Sequence, residues 1–147
     1  MVAVSYTTSA GLELRTFDGA SLSAPSTVVT WPAIVGGLTY ADGYGPAVQP
    51  TGAAGVAVAV AGCRPNPPTI DPCDPVAAGS RIDILYRSTP DGGATWDDPL
   101  RLSDSRLAPY RLNDEPSLTL TGATQRITFD RYDRAFQHYD VWSRSSI

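Results

Sequence analysis

The densest group of side chains able to do chemistry in this 147-residue sequence is Tyr110-Arg-Leu-Asn-Asp-Glu115, an aromatic ring, a guanidinium and two carboxylates ahead of a segment that reads as a strand. Such a set suits a sugar or an acidic ligand: a ring offers a flat apolar platform, Arg111 a planar fork of donors, and Asp114 and Glu115 acceptors. The plainer reading of the same stretch is a solvated loop in which Asp114 or Glu115 assists the turn into the next strand. Other polar candidates outside the repeated pattern of the chain are Asp42, Tyr44, Arg64, Asp133 and His138. Asp130-Arg-Tyr-Asp-Arg134 offers oxygen atoms to a calcium ion but matches no known loop pattern. A zinc site needs about four ligands, and this chain has one His and two Cys. No metal and no cofactor is therefore expected. His138 could formally serve a Ser/His/Asp arrangement, but the sequence has no G-x-S-x-G elbow, and a single loop His is more often a surface residue.

The elements that must position these groups are short strands. Thirteen Gly and thirteen Pro punctuate brief apolar runs throughout the chain, the composition of an all-β protein. The length suits one domain over residues 1–147. Net charge is −4 and all eleven basic residues are Arg, which argues against a polybasic surface for nucleic acid or membrane. The Arg, Ala, Gly and Pro bias, with two Asn, is that of a GC-rich coding sequence. No run of eighteen apolar residues exists to span a membrane, and Met1-Val-Ala-Val-Ser-Tyr6 has neither the charged nor the apolar region of a signal peptide.

One turn stands out. In Thr89-Pro-Asp-Gly-Gly-Ala-Thr-Trp96, Asp91 can accept backbone N–H groups across a hairpin, Gly92 and Gly93 supply positive φ, Thr95 fixes the exit, and Trp96 lays a large ring beneath the turn. These eight residues match, at every defined position, the S/T-x-D-x-G-x-T-W Asp-box, and the chain resembles the Asp-box (BNR-repeat, sialidase-like) β-propellers. The resemblance implies that the box joins the third and fourth strands of a blade, C and D, on the side away from the binding site. Thr89, Asp91, Gly93, Thr95 and Trp96 are then structural. Thr16-Phe-Asp-Gly-Ala-Ser-Leu22 is a degenerate box one residue shorter, with Leu22 where Trp96 stands.

The chain repeats itself further. Pro46–Val60 aligns without a gap on Pro116–Asp130 at an offset of 70, and Ile82–Ser88 on Tyr139–Ser145 at an offset of 57. The difference of 13 residues marks an insertion over 63–79, rich in Pro and holding Cys63 and Cys73, whose spacing favours a disulfide and, with it, a secreted or periplasmic setting. The segment 31–45 shows no clear period and reads as a long connection containing short strand pieces at Ala33–Val35 and Gly37–Tyr40. Three blade-like units result: 1–30 with strands B, C and D, 46–104 complete, and 115–147 with A, B and C. The expected fold is a partial β-propeller of about three four-stranded antiparallel units with incomplete terminal blades. At roughly 40 to 50 residues per blade the chain is too short for six, and its ragged ends call for missing blades of a longer chain or for self-association.

By the same resemblance the binding side is built from 31–45, 63–80, 104–115 and 131–138, with Tyr44, Arg64, Tyr110, Arg111, Asp114, Glu115 and His138 as ligand-binding candidates. Arg15, Arg87 and Arg144, which recur before Ser or Thr, and Asp83 with its counterpart Asp140, read as scaffold. Sialidases place three Arg on the substrate carboxylate, one of them in an R-I-P motif, and use a Tyr nucleophile paired with a Glu and an Asp as acid/base. No R-I-P occurs, and Glu13 and Glu115 are the only Glu. No catalytic residue is assigned. The expected function is a noncatalytic binding or scaffold module with carbohydrate as its ligand. A fragment or subunit of a sialidase-like glycoside hydrolase, and a protein-interaction platform, stand as alternatives.

Overall fold

The computed structural model describes residues 1–65, 73, 81–103, 111–121, 124–133 and 137–145. Within them every regular element is a strand: β1 (Val2–Thr8), β2 (Gly11–Phe17), β3 (Ser26–Thr30), β4 (Ala33–Val35), β5 (Leu38–Tyr40), β6 (Asp42–Pro50), β7 (Val56–Cys63), β8 (Ile82–Thr89), β9 (Leu100–Arg101), β10 (Arg111–Thr121), β11 (Thr124–Asp133) and β12 (His138–Ser145). They form four antiparallel sheets in the orders β1-β2-β3, β4-β5, β6-β7-β8-β9 and β10-β11-β12. The protein is all-β.

The middle four-stranded sheet is covered on both faces, and β7 shows why. Its sequence alternates Val and Ala, so the period of two sends Val56, Val58 and Val60 to one face and Ala57, Ala59, Ala61 and Cys63 to the other. All eight residues of the strand are buried. The Val face packs with Leu12, Leu14 and Val28 of the first sheet and with Trp31, Val35 and Tyr40 around the β4-β5 hairpin. The Ala face, being shallow, admits the larger Leu118, Ile127 and Phe129 of the second three-stranded sheet, β10-β11-β12. Burying one such aliphatic or aromatic side chain contributes roughly 1.5–3 kcal/mol, so the stacking of the sheets is the main source of stability.

Segment 31–45 holds the short strand pieces expected within it and is more ordered than a plain connection. Ala33–Val35 and Leu38–Tyr40 pair as a hairpin across Gly36-Gly37, both at positive φ, and its inward residues join the core. The strand that follows begins at Asp42 and not at 46, and its counterpart β10 begins at Arg111 and not at 115. Asp42, Tyr44, Arg111, Asp114 and Glu115 are thus strand residues. Prolines obscured this in the sequence, because Pro46 and Pro116 would interrupt a central strand. Both sit on edge strands, at bulges between Tyr44 and Ala47 and between Asp114 and Ser117, where a missing N–H is tolerated. Gly45 and Glu115, the residues before these prolines, both have positive φ, 59° and 46°.

Register divides the molecule into two ends. Thr8-Gly11, Asp42-Cys63-Ile82 and Arg111-Asp133-His138 lie at one end of their sheets; Phe17, Pro50-Val56-Thr89 and Thr121-Thr124 lie at the other.

Candidate functional site

The turn around Asp91 is closed by its own hydrogen bonds. Thr89 Oγ1 donates to Asp91 Oδ1 (2.8 Å) and accepts from Gly93 N–H (2.9 Å). Asp91 in turn accepts from Thr95 N–H (2.8 Å) and Thr95 Oγ1 (2.7 Å). These bonds hold its carboxyl at a pKa of about 2, below the ordinary value, because each favours the anion. Trp96 Nε1 reaches back to Ser26 Oγ on the neighbouring sheet (3.0 Å), and Ser26 Oγ donates to Gly93 O, so the turn is also a clamp between sheets. The shorter turn at 18–21 repeats the device: Asp18 Oδ1 accepts from Ala20 N–H and Ser21 N–H, both at 2.8 Å. Arg87 and Arg15 occupy equivalent places, each donating Nε to a carbonyl of the chain after the turn, Asp97 O (2.6 Å) and Ser23 O (2.8 Å). The carboxylates of Asp18 and Asp91 are thus spent within their own turns, while a cleft of about 400 Å³ opens at the same end between Ser88, Asp97, Asp98 and Gln125.

The opposite end is open. A cleft of about 530 Å³ is lined by Thr7, Thr8, Ser9, Asp42, Gly43, Tyr44, Cys73 and Asp114. Its floor is set by packing: a side chain at Gly43 would run into the ring of Trp31, 2.5 Å from the position of its Cβ. Tyr44 and Asp114 are equivalents at the offset of 70, the last residues before their two bulges. The bulges turn both toward one space. Asp42 Oδ1 accepts from Gly43 N–H and Asp114 Oδ1 from Glu115 N–H, each at 2.7 Å. Burial, then Asp114, Glu115 and Tyr139, push the Tyr44 hydroxyl well above the ordinary range of a phenol. Both effects favour the protonated phenol. Its oxygen is enclosed and makes no hydrogen bond of good geometry with the described residues.

Below the cleft, buried polar groups lock the sheets together. Asn113 donates Nδ2 to Ile82 O (3.1 Å) and accepts from Arg131 Nε (3.0 Å), tying β10 to β8 directly beside Asp114. Tyr40 donates its hydroxyl to the buried Asp83 (2.9 Å), and Ser103 Oγ lies 3.4 Å from the same carboxylate. Burial first, then Asp83, raise the Tyr40 pKa.

The structure therefore brings Tyr44 and Asp114 into one cleft, with Glu115 near enough to act on Tyr44 and Asp42 alongside. Arg64 is not among the lining residues; its N–H bonds Arg81 O (2.9 Å), and its Nη1 is enclosed without a partner among the described residues. His138 stands apart as well, exposed at the start of β12, with Nε2 3.2 Å from Asp140. Arg111 opens β10 opposite Asp133. Tyr110 and most of the 63–79 insertion lie outside the described residues; Cys63 and Cys73 form a disulfide, and Cys73 lines the cleft. Sequence reasoning missed Thr7, Thr8 and Ser9. Thr7 and Thr8 end β1 and Ser9 opens its turn to β2, the two strands of the first unit that correspond to β7 and β8, and that equivalence was the signal available to find them. Among the described residues no three His, Cys, Asp or Glu side chains gather as a metal site.

Comparison with known proteins gives no match. No family model fits the chain, and no curated protein and no solved structure is significantly similar to it.

Proposed function

We propose that this chain is a noncatalytic binding module of the Asp-box β-propeller type, built of about three blade-like sheets, that takes a carbohydrate in the cleft around Tyr44 and Asp114. The observation that carries the reading is the convergence of these two repeat-equivalent residues, from bulges on successive sheets, in an open polar cleft. Hydroxyls of Thr7, Ser9 and Tyr44 with carboxylates of Asp42 and Asp114 make a mixed set of donors and acceptors, the complement of a sugar's hydroxyl groups; the Thr8 hydroxyl is spent on its own turn. The propeller part of the reading is supported by the complete Asp-box and by three sheets that fall on the three repeat units. The noncatalytic part is supported by the raised pKa of Tyr44.

The same Tyr44, with Glu115 beside it, is what favours the alternative of a sialidase-like fragment or subunit, since that chemistry uses a Tyr and a Glu. There the Tyr must give up its proton, and the carboxylates around Tyr44 oppose this. The test is a glycan array followed by titration of the best sugar against Asp114→Asn and Tyr44→Phe. We expect each substitution to weaken binding about tenfold, the loss of one buried or charge-assisted hydrogen bond. An array without hits would remove the carbohydrate reading, and turnover of a fluorogenic sialoside would replace it with the enzymatic one.

A further inference from the structure

The strand β12 is the least covered element of the chain. All eight of its residues are exposed, Tyr139 at 69%, Val141 at 76% and Trp142 at 43%. Among the described residues it pairs with β11 on one edge and with no strand on the other, so that edge keeps backbone N–H and C=O groups without a ladder partner. Its repeat equivalent β8 is paired on both edges, with β7 and with β9.

We infer that β12 is the seat of a symmetric dimer, in which it pairs antiparallel with β12 of a second copy about a two-fold axis passing through Trp142. The occupant is argued from the order of side chains. In an antiparallel pair, residues directly opposite each other share orientation, so a two-fold axis must pass through one residue and its copy. Centred on Trp142, the pairing sets the two indoles side by side and places each Asp140 opposite the Arg144 of the second copy, on the same face. Centred on Asp140, it opposes two carboxylates; centred on Val141, it sets Asp140 against Trp142; centred on Ser143, it sets Arg144 against Trp142. Among axes that pair most of the strand, the one through Trp142 alone yields two Asp–Arg ion pairs flanking an aromatic pair, cross-strand combinations that favour pairing; an axis through Tyr139 would engage only the start of β12. Within the chain the Arg131 guanidinium already lies 4.1 Å from the Trp142 ring centroid, which holds that ring over the sheet. The contact is self-complementary and closes on itself, so it caps the exposed edge without building a filament. This inference does not depend on the cleft or its ligand.

Sedimentation equilibrium of the whole chain, with its disulfide intact, tests it. A mass rising with concentration to twice that of one chain and no further is the expected result. Asp140→Arg or Arg144→Asp alone sets like charges opposite each other twice over and should raise the dimer dissociation constant about tenfold. The two substitutions together restore the opposite-charge pairs and should return it to within about threefold of the starting value. Hydrogen exchange gives a second readout that needs no variant: β12 amides should gain protection as concentration rises. A monomer throughout, assemblies larger than two, a dimer indifferent to both single substitutions, or β12 exchange that ignores concentration would each overturn the proposal.

Discussion

Strands β8 and β12 carry the same pattern and live in opposite surroundings. Ile82-Asp-Ile-Leu-Tyr-Arg-Ser88 and Tyr139-Asp-Val-Trp-Ser-Arg-Ser145 align residue for residue. Yet Ile84 is fully buried while its counterpart Val141 is 76% exposed, and Asp83 is sealed beneath Tyr40 and Ser103 while Asp140 stands in solvent beside His138. The difference arises from neighbours. β8 has a strand on each edge and a sheet over each face, whereas β12 has β11 alone. A strand pattern thus specifies what a strand can bury, and the stacking of sheets decides whether it does.

This contrast can be broken most severely at Ile84. Ile84→Ala should cost about 2–5 kcal/mol in urea unfolding, the range for truncating a buried aliphatic side chain, whereas Val141→Ala should stay within about 0.5 kcal/mol. Equal effects would mean that β12 is covered in solution by more than a weakly held second copy. Next comes the aspartate pair. Asp83→Ala leaves the buried Tyr40 hydroxyl without its acceptor and should cost about 1–3 kcal/mol, while Asp140→Ala should leave the unfolding of the single chain within about 0.5 kcal/mol.

The smallest effect concerns acid stability, and it belongs to the Asp91 turn at the end of β8, for which β12 has no described counterpart. Asp91, with its pKa lowered to about 2 by hydrogen bonds from Thr95 and Thr89, favours the folded state once the unfolded carboxyl has ionised. That contribution is present above an unfolded pKa of about 3.9 and is lost as pH falls through about 2. The melting temperature of Asp91→Asn should therefore lie below that of the wild type at neutral pH, and the gap should narrow between about pH 4 and pH 2. A gap independent of pH would show that the turn draws its stability from Gly92, Gly93 and Trp96 instead.

What sequence alone determined here is what is encoded within a few residues. The Val/Ala alternation of β7 dictates a doubly buried strand, and the turn at 89–96 closes on bonds between residues no more than four apart. The offsets of 70 and 57 likewise announced repeated units from identity of pattern alone. The cleft was legible only in part: Tyr44, Asp114 and Glu115 were candidates, but as loop residues, because Gly45-Pro46 and Glu115-Pro116 read as interruptions and not as bulges. Their meeting with Thr7, Thr8 and Ser9, and the separation of His138 and Arg64 from the cleft lining, were decided by tertiary structure. No local rule could supply them, since they depend on how three sheets stack and on two bulges that bend edge strands toward a common space. Burial of β8 and exposure of β12 follow from the same cause: position in the stack, which one strand's own residues do not carry.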